Sequence, residues 1–502
     1  MRRRRLGTTT AVALLLAGCH PVGPDFNRPT PDSAFSWLTG KRRPAAPAKS
    51  APVEQPVDPN WWTQFNDPIL TSLEQRVAAG NLDLQASQFR LSESRAQLGV
   101  AEALQFPLLH ANSSYTRTKA SSNGQFAIAP NALGANGASG NSAGGLSGAR
   151  RLSPFDVFQV GFDASWELDL WGGVQRSVES ATALVEASAE ARRTILLSTL
   201  AEVARDYIAL RGVQTQLRIA RDSVRTSRQS LSLTQQRAAG GVTTDLDVAN
   251  ASAQLRNTAA QIPRLEQQEA ASINALSLLL GLPPNALWDE LETAKPVPPV
   301  PPSVPVGIPS ELARRRPDIR EAEARLHAAT ADIGVAIADF YPSVKISGSI
   351  GLQSLQFARL FDLNSHMYSG GPGISIPLFE GGKLKATLRF REALQQEAAI
   401  NYQKTVLNAW HEVDNALTAY RTEQARREQL RLAETDNRRA VGLAQSRYQQ
   451  GVADFLAVLD AERNLLATQL QLADSTAAIS GNLVALYKAL GGGWETDLPD
   501  EK

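Results

Sequence analysis

The chain carries one structural plan twice, and this duplication constrains its fold more than any other feature of its 502 residues. LSESRAQLGVAEALQFP (91–107) matches LHAATADIGVAIADFYP (326–342). Further along, GVTTDLDVANA, which begins at Gly241, matches GVADFLAVLDA, which begins at Gly451. Each copy has the pattern helix, strand, strand, very long helix, tight turn, helix. We therefore interpret 61–292 as the first repeat and 310–494 as the second.

Two proline-free segments predict unusually long helices, at Val174–Arg237 and Lys383–Gln450. Each would be roughly 95–100 Å long at 1.5 Å per residue. In the first, apolar residues recur every seven positions, which indicates coiled-coil packing. The second keeps this period over 406–420 but loses it at Arg427 and Glu434, where solvent or a partner is the expected neighbour.

Shorter helices are predicted over 69–104 and 246–281, which end to end would match the length of one long helix. Between the two copies, 293–309 is a proline-rich linker. Proline disfavours a helix, so we expect this linker to be extended.

Residues 158–168 alternate strictly between apolar and polar side chains, which predicts a strand. Its apolar face carries Phe158, Val160, Phe162 and Trp166. Outer-membrane barrel strands share this length and alternation, although a soluble sheet can also show it. Three further strands are predicted, and the apolar positions that indicate them lie within 109–115, 344–352 and 374–378.

Four strands per chain cannot close a barrel, because about eight is the smallest number that works. A barrel would therefore have to be shared between chains. Two chains would give a barrel filled by its own side chains, whereas three would leave a passage.

The N-terminus predicts an exported lipoprotein. Arg2 to Arg5 precede a short apolar run, and Leu16-Ala17-Gly18-Cys19 resembles the bacterial lipobox. We interpret 1–18 as a signal peptide, with a lipid attached to Cys19; the alternative is an ordinary signal peptide with a chance cysteine. His20 is not the aspartate that often retains lipoproteins in the inner membrane, so we expect the outer membrane. Residues 19–60 would form a lipid-anchored N-terminal segment, and 495–502 a C-terminal tail.

Composition gives no indication of chemistry. Lys plus Arg number 51 and Asp plus Glu 50, so nothing favours nucleic acid as a partner. The single cysteine excludes an intramolecular disulfide, and the five histidines show no metal-ligand spacing. The sequence contains no catalytic motif. We therefore expect no enzyme activity, no metal site and no cofactor beyond the lipid on Cys19.

Several motifs together resemble the outer-membrane efflux channel family of the TolC and OprM type, including the NodT-like lipoproteins of resistance-nodulation-division (RND) pumps. They are GPDFNRP (23–29), WWTQFNDPILTSL (61–73), ELARRRPDIREAEARLHAATADIGVAIADFYP (311–342) and IPLFEGGKLKATL (376–388). The resemblance implies a mainly α fold with a small β part. It also implies a homotrimer with a twelve-stranded outer-membrane barrel, four strands per chain, continued by a long periplasmic α-helical barrel. The implied partners are a periplasmic adaptor (a membrane fusion protein) and an inner-membrane RND pump, which together export small toxic compounds or drugs.

Gly241-Val242 and Gly451-Val452 follow the two long helices, where glycine fits a helix C-terminus that reverses direction. Asp245 and Asp454 are the expected N-caps of the helices that come next.

The resemblance implies that these turns form the periplasmic tip, where channels of this family narrow through apolar and acidic rings. By motif position, Leu456 and Asp460 are the ring candidates. Arg463 lies three residues after Asp460, a helical spacing that would let the two pair. The alternative is an ordinary surface ion pair without a gating role.

Two other functions stay open from the sequence. One is a type I protein-secretion outlet with the same architecture. The other is a pore-less, lipid-anchored coiled-coil adaptor. Such an adaptor would need a lipoyl-like domain of short strands flanking its helical hairpin, and we recognise none in the sequence.

Overall fold

The computed structural model of the chain describes residues 21–30, 50–53, 55–119, 154–307, 312 and 314–495. The predicted signal peptide, Cys19 and most of the C-terminal tail lie outside the described residues. The chain divides into two compact units. Unit 1 combines the residues up to Asp25 with 97–181 and 329–393, and unit 2 contains 26–96, 182–328 and 394–502.

Most described residues are helical. Two helices of 67 residues, α3 (Gly173–Ala239) and α8 (Lys383–Gln449), confirm the long helices predicted from the proline-free segments. Further helices are α1 (Pro68–Gly80), α2 (Leu82–Ala103), α4 (Asp245–Ala259), α5 (Gln261–Leu279), α6 (Trp288–Leu291), α7 (Pro317–Ala338) and α9 (Phe455–Ala489). Single 3-10 turns occupy Trp61–Phe65, Phe357–Arg359 and Leu363–Ser365.

Both shorter helices of the first copy were predicted as continuous, and this was wrong. α1 and α2 separate at Asn81, which has an extended backbone and whose side-chain amide donates to the carbonyl of Leu279 at 2.8 Å. α4 and α5 separate at Ala260. Pro263 has no N–H for the carbonyl of Ala259, so the ladder of helical hydrogen bonds is interrupted there.

Unit 1 contains an antiparallel sheet with the strand order β2-β3-β5-β6. Its strands are β2 (Leu108–Thr118), β3 (Phe155–Leu168), β5 (Ser343–Ser354) and β6 (His366–Ser375). The first three contain the predicted segments.

The fourth strand was predicted too far along the chain, because Ile376 and Leu378 lie beyond β6. Pairing between β5 and β6 ends at Ser343–Ser375. Pro377 then follows, which has no N–H with which to extend the ladder.

The proline-rich linker contains no helix over its described residues up to Gly307, and it is an extended strand at Ser303–Pro305. Within it, β4 (Ser303–Pro305) pairs in parallel with β1 (Ala51–Val53). The sequence did not predict this small two-stranded sheet.

The core of unit 2 follows the seven-residue repeat of the long helices. In α3 the repeat positions Leu196, Val203, Leu210 and Leu217 are buried, whereas the last two, Val224 and Leu231, are only half-buried. In α8, the positions Val406, Val413 and Tyr420 are buried, and the next two, Arg427 and Glu434, are half-buried. The apolar packing of both helices therefore weakens in their C-terminal halves.

Candidate functional site

The turns after the two long helices have the same backbone geometry. Gly241 has a φ of 72°, its N–H donates to Ala238 at 2.9 Å, and the N–H of Val242 donates to Arg237 at 2.9 Å. This is the Schellman motif, which satisfies carbonyls at the end of a helix. Residues 447–452 repeat it, with a φ of 75° at Gly451. Both glycines therefore end their helices in the left-handed conformation, as the sequence predicted.

The expected N-caps were only partly right. α4 is capped by Thr244, one residue before Asp245, through a capping box in which Asp247 and Thr244 bond each other's backbone N–H. The Thr243 hydroxyl also donates to Asp247, and this hydrogen bond is the main reason that the pKa of the Asp247 carboxyl is lowered. Asp454 does stand at the N-cap position of α9, but its side chain makes no capping hydrogen bond.

A small apolar cluster, which we call the turn cluster, joins α3, α4, α8 and α9 beside the two turns. Its buried members are Ala251, Tyr448, Phe455, Val458 and Leu459. The guanidinium of Arg237 lies 4.6 Å above the Tyr448 ring and donates to the carbonyl of Gln449 at 3.2 Å. These contacts hold the ends of α3 and α8 together.

Buried polar residues continue the packing beyond the turn cluster. Glu462 is 8% exposed, and it accepts hydrogen bonds from the Ser230 hydroxyl at 2.6 Å and the Gln445 amide at 3.1 Å. α3, α8 and α9 thus meet at one carboxylate. Sequence reasoning missed this contact, although Ser227, Ser230 and Thr234 form a helical polar stripe where the heptad repeat weakens.

The predicted ion pair between Asp460 and Arg463 is not formed in the described part of the chain. Arg463 instead donates to the side-chain oxygen of Gln254 on α4 at 2.9 Å. The exposed Asp460 has no ion-pair partner among the described residues. Helical spacing permits a pair at i and i+3, but Arg463 points to the neighbouring helix.

Four apolar side chains of the turns are exposed: Val242 (65%), Leu246 (69%), Val452 (62%) and Leu456 (57%). Sequence reasoning selected three of them as turn or ring residues but missed Leu246. The signal was present, because Leu246 matches Leu456 when GVTTDL is aligned with GVADFL.

The sheet of unit 1 has one mainly apolar face. The pairing register aligns Phe162 of β3 with Ala111, Ile350 and Tyr368 across all four strands. A second row joins Trp166 to Ile346, and Val160 pairs with Leu352. Phe158 lies 4.9 Å from the ring of Tyr115. The four residues that sequence analysis assigned to an apolar strand face therefore share that face with apolar residues of neighbouring strands.

The opposite face and the outer edges of the sheet are different. On the opposite face, Lys345 pairs with Glu167 at 3.2 Å. Among the described strands, β2 and β6 are hydrogen-bonded on one side only. Phe162 is 54% exposed within the single chain, and Tyr368 is 80% exposed.

Residues 21–25, which follow the predicted lipid site, are fixed to unit 1. The Val22 N–H donates to Trp171 at 3.0 Å, just beyond the end of β3. The buried Arg176 side chain contacts Asp25 at 2.6 Å and donates to the Val22 carbonyl at 3.2 Å. Gly23, with a φ of 97°, packs so closely on Gly334 that a Cβ would lie 2.5 Å from the Gly334 Cα.

None of the described helices is long and apolar enough to cross a membrane. Among the described residues, no group of three or more His, Cys, Asp or Glu side chains is arranged to hold a metal ion.

Comparisons with known proteins agree along nearly the whole chain. The family model for outer membrane efflux proteins matches residues 73–282 and 308–492. The chain is 31% identical over 484 residues to the "Probable outer membrane lipoprotein SilC" of Salmonella typhimurium, covering 96% of this chain and 97% of the relative. It is 31% identical over 492 residues to the solvent efflux pump outer membrane protein SrpC of Pseudomonas putida, covering 96% and 97%.

A solved structure of the outer-membrane channel OprN superimposes with a TM-score of 0.83 at 33% sequence identity. The match covers 94% of this chain and 99% of that one. The chain therefore belongs to the outer membrane efflux protein family, and it is an outer-membrane channel protein of an efflux system.

Proposed function

We propose that three copies of this chain form the outer-membrane channel of a tripartite pump that exports small toxic compounds, together with a periplasmic adaptor and an inner-membrane RND pump. The observation that carries this proposal is a four-stranded sheet with one mainly apolar face and two edge strands that pair on one side only among the described strands. The assignment of SrpC to a solvent efflux pump supports small toxic molecules as the substrate class.

The sheet supports a barrel shared between copies. β2 and β6 are 11 and 10 residues long, and exposed edges of that length pair readily with another strand. Pairing β6 of one copy with β2 of the next would close twelve strands and leave an open lumen. The apolar face from Phe158 to Leu168 spans roughly 24 Å if the strands tilt by about 45°, close to the apolar band of outer-membrane barrels.

We assign to α3 and α8, with their neighbours, the duplicated wall of a periplasmic tunnel. The turns at Gly241 and Gly451 would then form its tip, where Leu456 and Asp460 of the three copies face one another. Both side chains are exposed, and Asp460 has no ion-pair partner among the residues that the structure describes, which suits such a constriction. Because Arg463 bonds Gln254, we assign the arginine to the link between α9 and α4 rather than to a pair with Asp460.

We also propose that Cys19 carries the lipid. Pro21 stands two residues later, a distance of at most about 7 Å of chain. Residues 21–25 are bound beside the end of β3, so the lipid would enter the membrane next to the sheet. Mature protein that fails to incorporate labelled palmitate would refute this assignment.

The pump assignment is tested by photo-crosslinking in cells from Ala453, which lies between Val452 and Asp454 in the second turn. We expect the captured protein, identified by mass spectrometry, to be the adaptor of an RND pump. Capture of an adaptor that serves an ATP-driven exporter would move the function to protein secretion. A matched crosslinker at the exposed Arg228, about three helical turns before the end of α3, is the control for non-specific capture.

Conductance separates the channel from a pore-less adaptor. Purified protein in a planar bilayer should give stepwise currents, and native mass spectrometry should give three copies. Asp460→Ala should raise the conductance by removing an acidic constriction. A wild-type protein without any conductance would contradict the channel, and an unchanged conductance in Asp460→Ala would contradict the gate.

A further inference from the structure

The two charged residues that interrupt the heptad repeat of α8 line an open groove in unit 2. The groove has a volume of about 750 Å³ and lies between α3, α8, α9 and the linker residues 294–297. Arg427 and Glu434 take repeat positions that are apolar earlier in the helix. Charged residues at these packing positions weaken the contact between helices. Their presence therefore indicates a role in binding rather than in stability.

The groove is strongly basic. Arg218 from α3, Lys295 from the linker and Arg427 from α8 line it, and within the described ranges none of them forms an ion pair. The side chain of Arg427 is oriented by a hydrogen bond from its Nε to the Thr476 hydroxyl at 3.0 Å. Three uncompensated cations thus project into one cavity.

The carboxylate that lines the groove, Glu434, already has partners within the chain. Glu434 pairs with Arg438 at 2.5 Å and accepts a hydrogen bond from the Gln469 amide at 3.2 Å. Gln214, which also lines the groove, donates to Glu269 at 2.9 Å. The remaining cations are therefore left to a ligand from outside.

We infer that this groove binds an extended acidic peptide segment of a partner protein. Guanidinium and ammonium groups are hydrogen-bond donors only, which fits the carboxylates and carbonyls of such a segment. From Arg427 to Arg438 the groove follows α8 for roughly 16 Å, the length of about five extended residues.

The chain's own neighbouring segment does not suit the groove. Ser50 bonds the side chain of Gln424, one turn before Arg427. The residues that precede Ser50 include Lys41, Arg42, Arg43 and Lys49 with no acid among 41–49. Like charge disfavours this segment as the occupant. This inference is independent of the proposed pump and its substrates.

The test uses the full chain purified in detergent and a fluorescent, end-blocked hexaglutamate, with hexaglutamine as the neutral probe. We expect hexaglutamate to bind and hexaglutamine not to bind, with affinity falling as salt rises. Arg427→Gln should weaken binding by about tenfold, as should Lys295→Gln. Lys295 is exposed on the linker, so its variant tests the groove even if Arg427→Gln folds poorly.

The matched control is Arg228→Gln, which removes one exposed arginine of α3 outside the groove and should leave binding unchanged. Equal binding of both peptides, or equal loss in Arg228→Gln, would overturn the inference. Tighter binding of inorganic phosphate than of hexaglutamate would identify a small-anion site instead. If the wild type binds no peptide and Lys295→Gln changes the number of copies in the oligomer, the inference is wrong. The groove would then be a contact surface for a second copy of the chain.

Discussion

Arg463 of α9 bonds Gln254 of α4 at 2.9 Å and leaves Asp460, one helical turn away on its own helix, without an ion-pair partner in the described chain. The two helices begin at the two different turns, so this contact links the two copies of the internal plan. In a channel, separating α9 from α4 would require this hydrogen bond to break.

Gln254→Ala should therefore favour the open tip. A hydrogen bond to a charged group contributes about 1.5–3 kcal/mol, so its loss should raise the open population by about tenfold or more. The measurement is single-channel conductance and open probability in a planar bilayer. Gln267→Ala, at an exposed position of α5, is the control and should behave as wild type. An unchanged open probability in Gln254→Ala would mean that the tip opens without separating α4 from α9.

The partner of Arg463 shows where sequence reasoning reaches its limit. Spacing along one helix identifies residues that can contact each other, and it predicted Asp460 as the partner of Arg463. Gln254 lies 209 residues away, so only the packing of two helices brings it to Arg463. Glu462 and Ser230, which are 232 residues apart, were missed for the same reason.

Local signals were far more reliable. The absence of proline predicted α3 and α8 to within two residues, and glycine after each helix predicted a reversal in the left-handed conformation. The N-cap of α4 was misassigned by one residue because Thr244 and Asp245 are both good capping types. Which of them caps depends on where the helix begins, and that is set by the Schellman turn before it.

The second prediction concerns the turn at Gly451. Its φ of 75° lies in the left-handed region, although a Cβ there would meet only the end of the Arg237 side chain, at 3.9 Å. Gly451→Ala should therefore lose about 1 kcal/mol through backbone strain alone. We expect a lower melting temperature and faster proteolysis at the turn.

Gly442 provides the matched control within α8. A Cβ there would meet nothing within 4 Å, and its backbone is helical. Gly442→Ala should therefore gain about 0.5–1 kcal/mol, because alanine loses less backbone entropy in a helix. If the two substitutions shift the melting temperature in the same direction, the account of the Gly451 turn is wrong.

The third prediction concerns the attachment of residues 21–25. The side chain of Arg176 is only 3% exposed and bonds Asp25, Glu179 and the Val22 carbonyl. Arg176→Ala would remove the ion pair with Asp25 and the hydrogen bond to the Val22 carbonyl that join this segment to α3, so the segment should detach locally. Hydrogen exchange at Val22 should accelerate by about tenfold or more.

Arg205→Ala is the control, because the Arg205 side chain is 65% exposed on the same helix. It should leave exchange at Val22 unchanged. If Val22 stays protected in Arg176→Ala, then its hydrogen bond to Trp171 and the packing of Gly23 on Gly334 are sufficient to hold the segment.

The fourth prediction concerns Glu74, which is 2% exposed in α1. Among the described residues, neither of its carboxyl oxygens has a hydrogen-bond partner. Burial raises the pKa of the Glu74 carboxyl well above its usual range, so the folded chain holds the neutral form more strongly than the unfolded chain does. The free energy of unfolding therefore decreases as the pH rises from about 4.3, the usual pKa of glutamate, towards the raised pKa of Glu74.

Glu74→Met keeps a similar volume and removes the titrating group, so it should stabilise the protein by about 1–3 kcal/mol at pH 7. The gain should shrink at pH 4, where the wild-type carboxyl is protonated in the fold and largely protonated when unfolded. Melting temperatures of both proteins at the two pH values check this. Asp83→Asn, at an exposed position in the first turn of α2, should show no such pH-dependent gain. A Glu74→Met protein that melts below the wild type at pH 7 would show that the carboxylate is stabilised in the fold, contrary to its lack of partners.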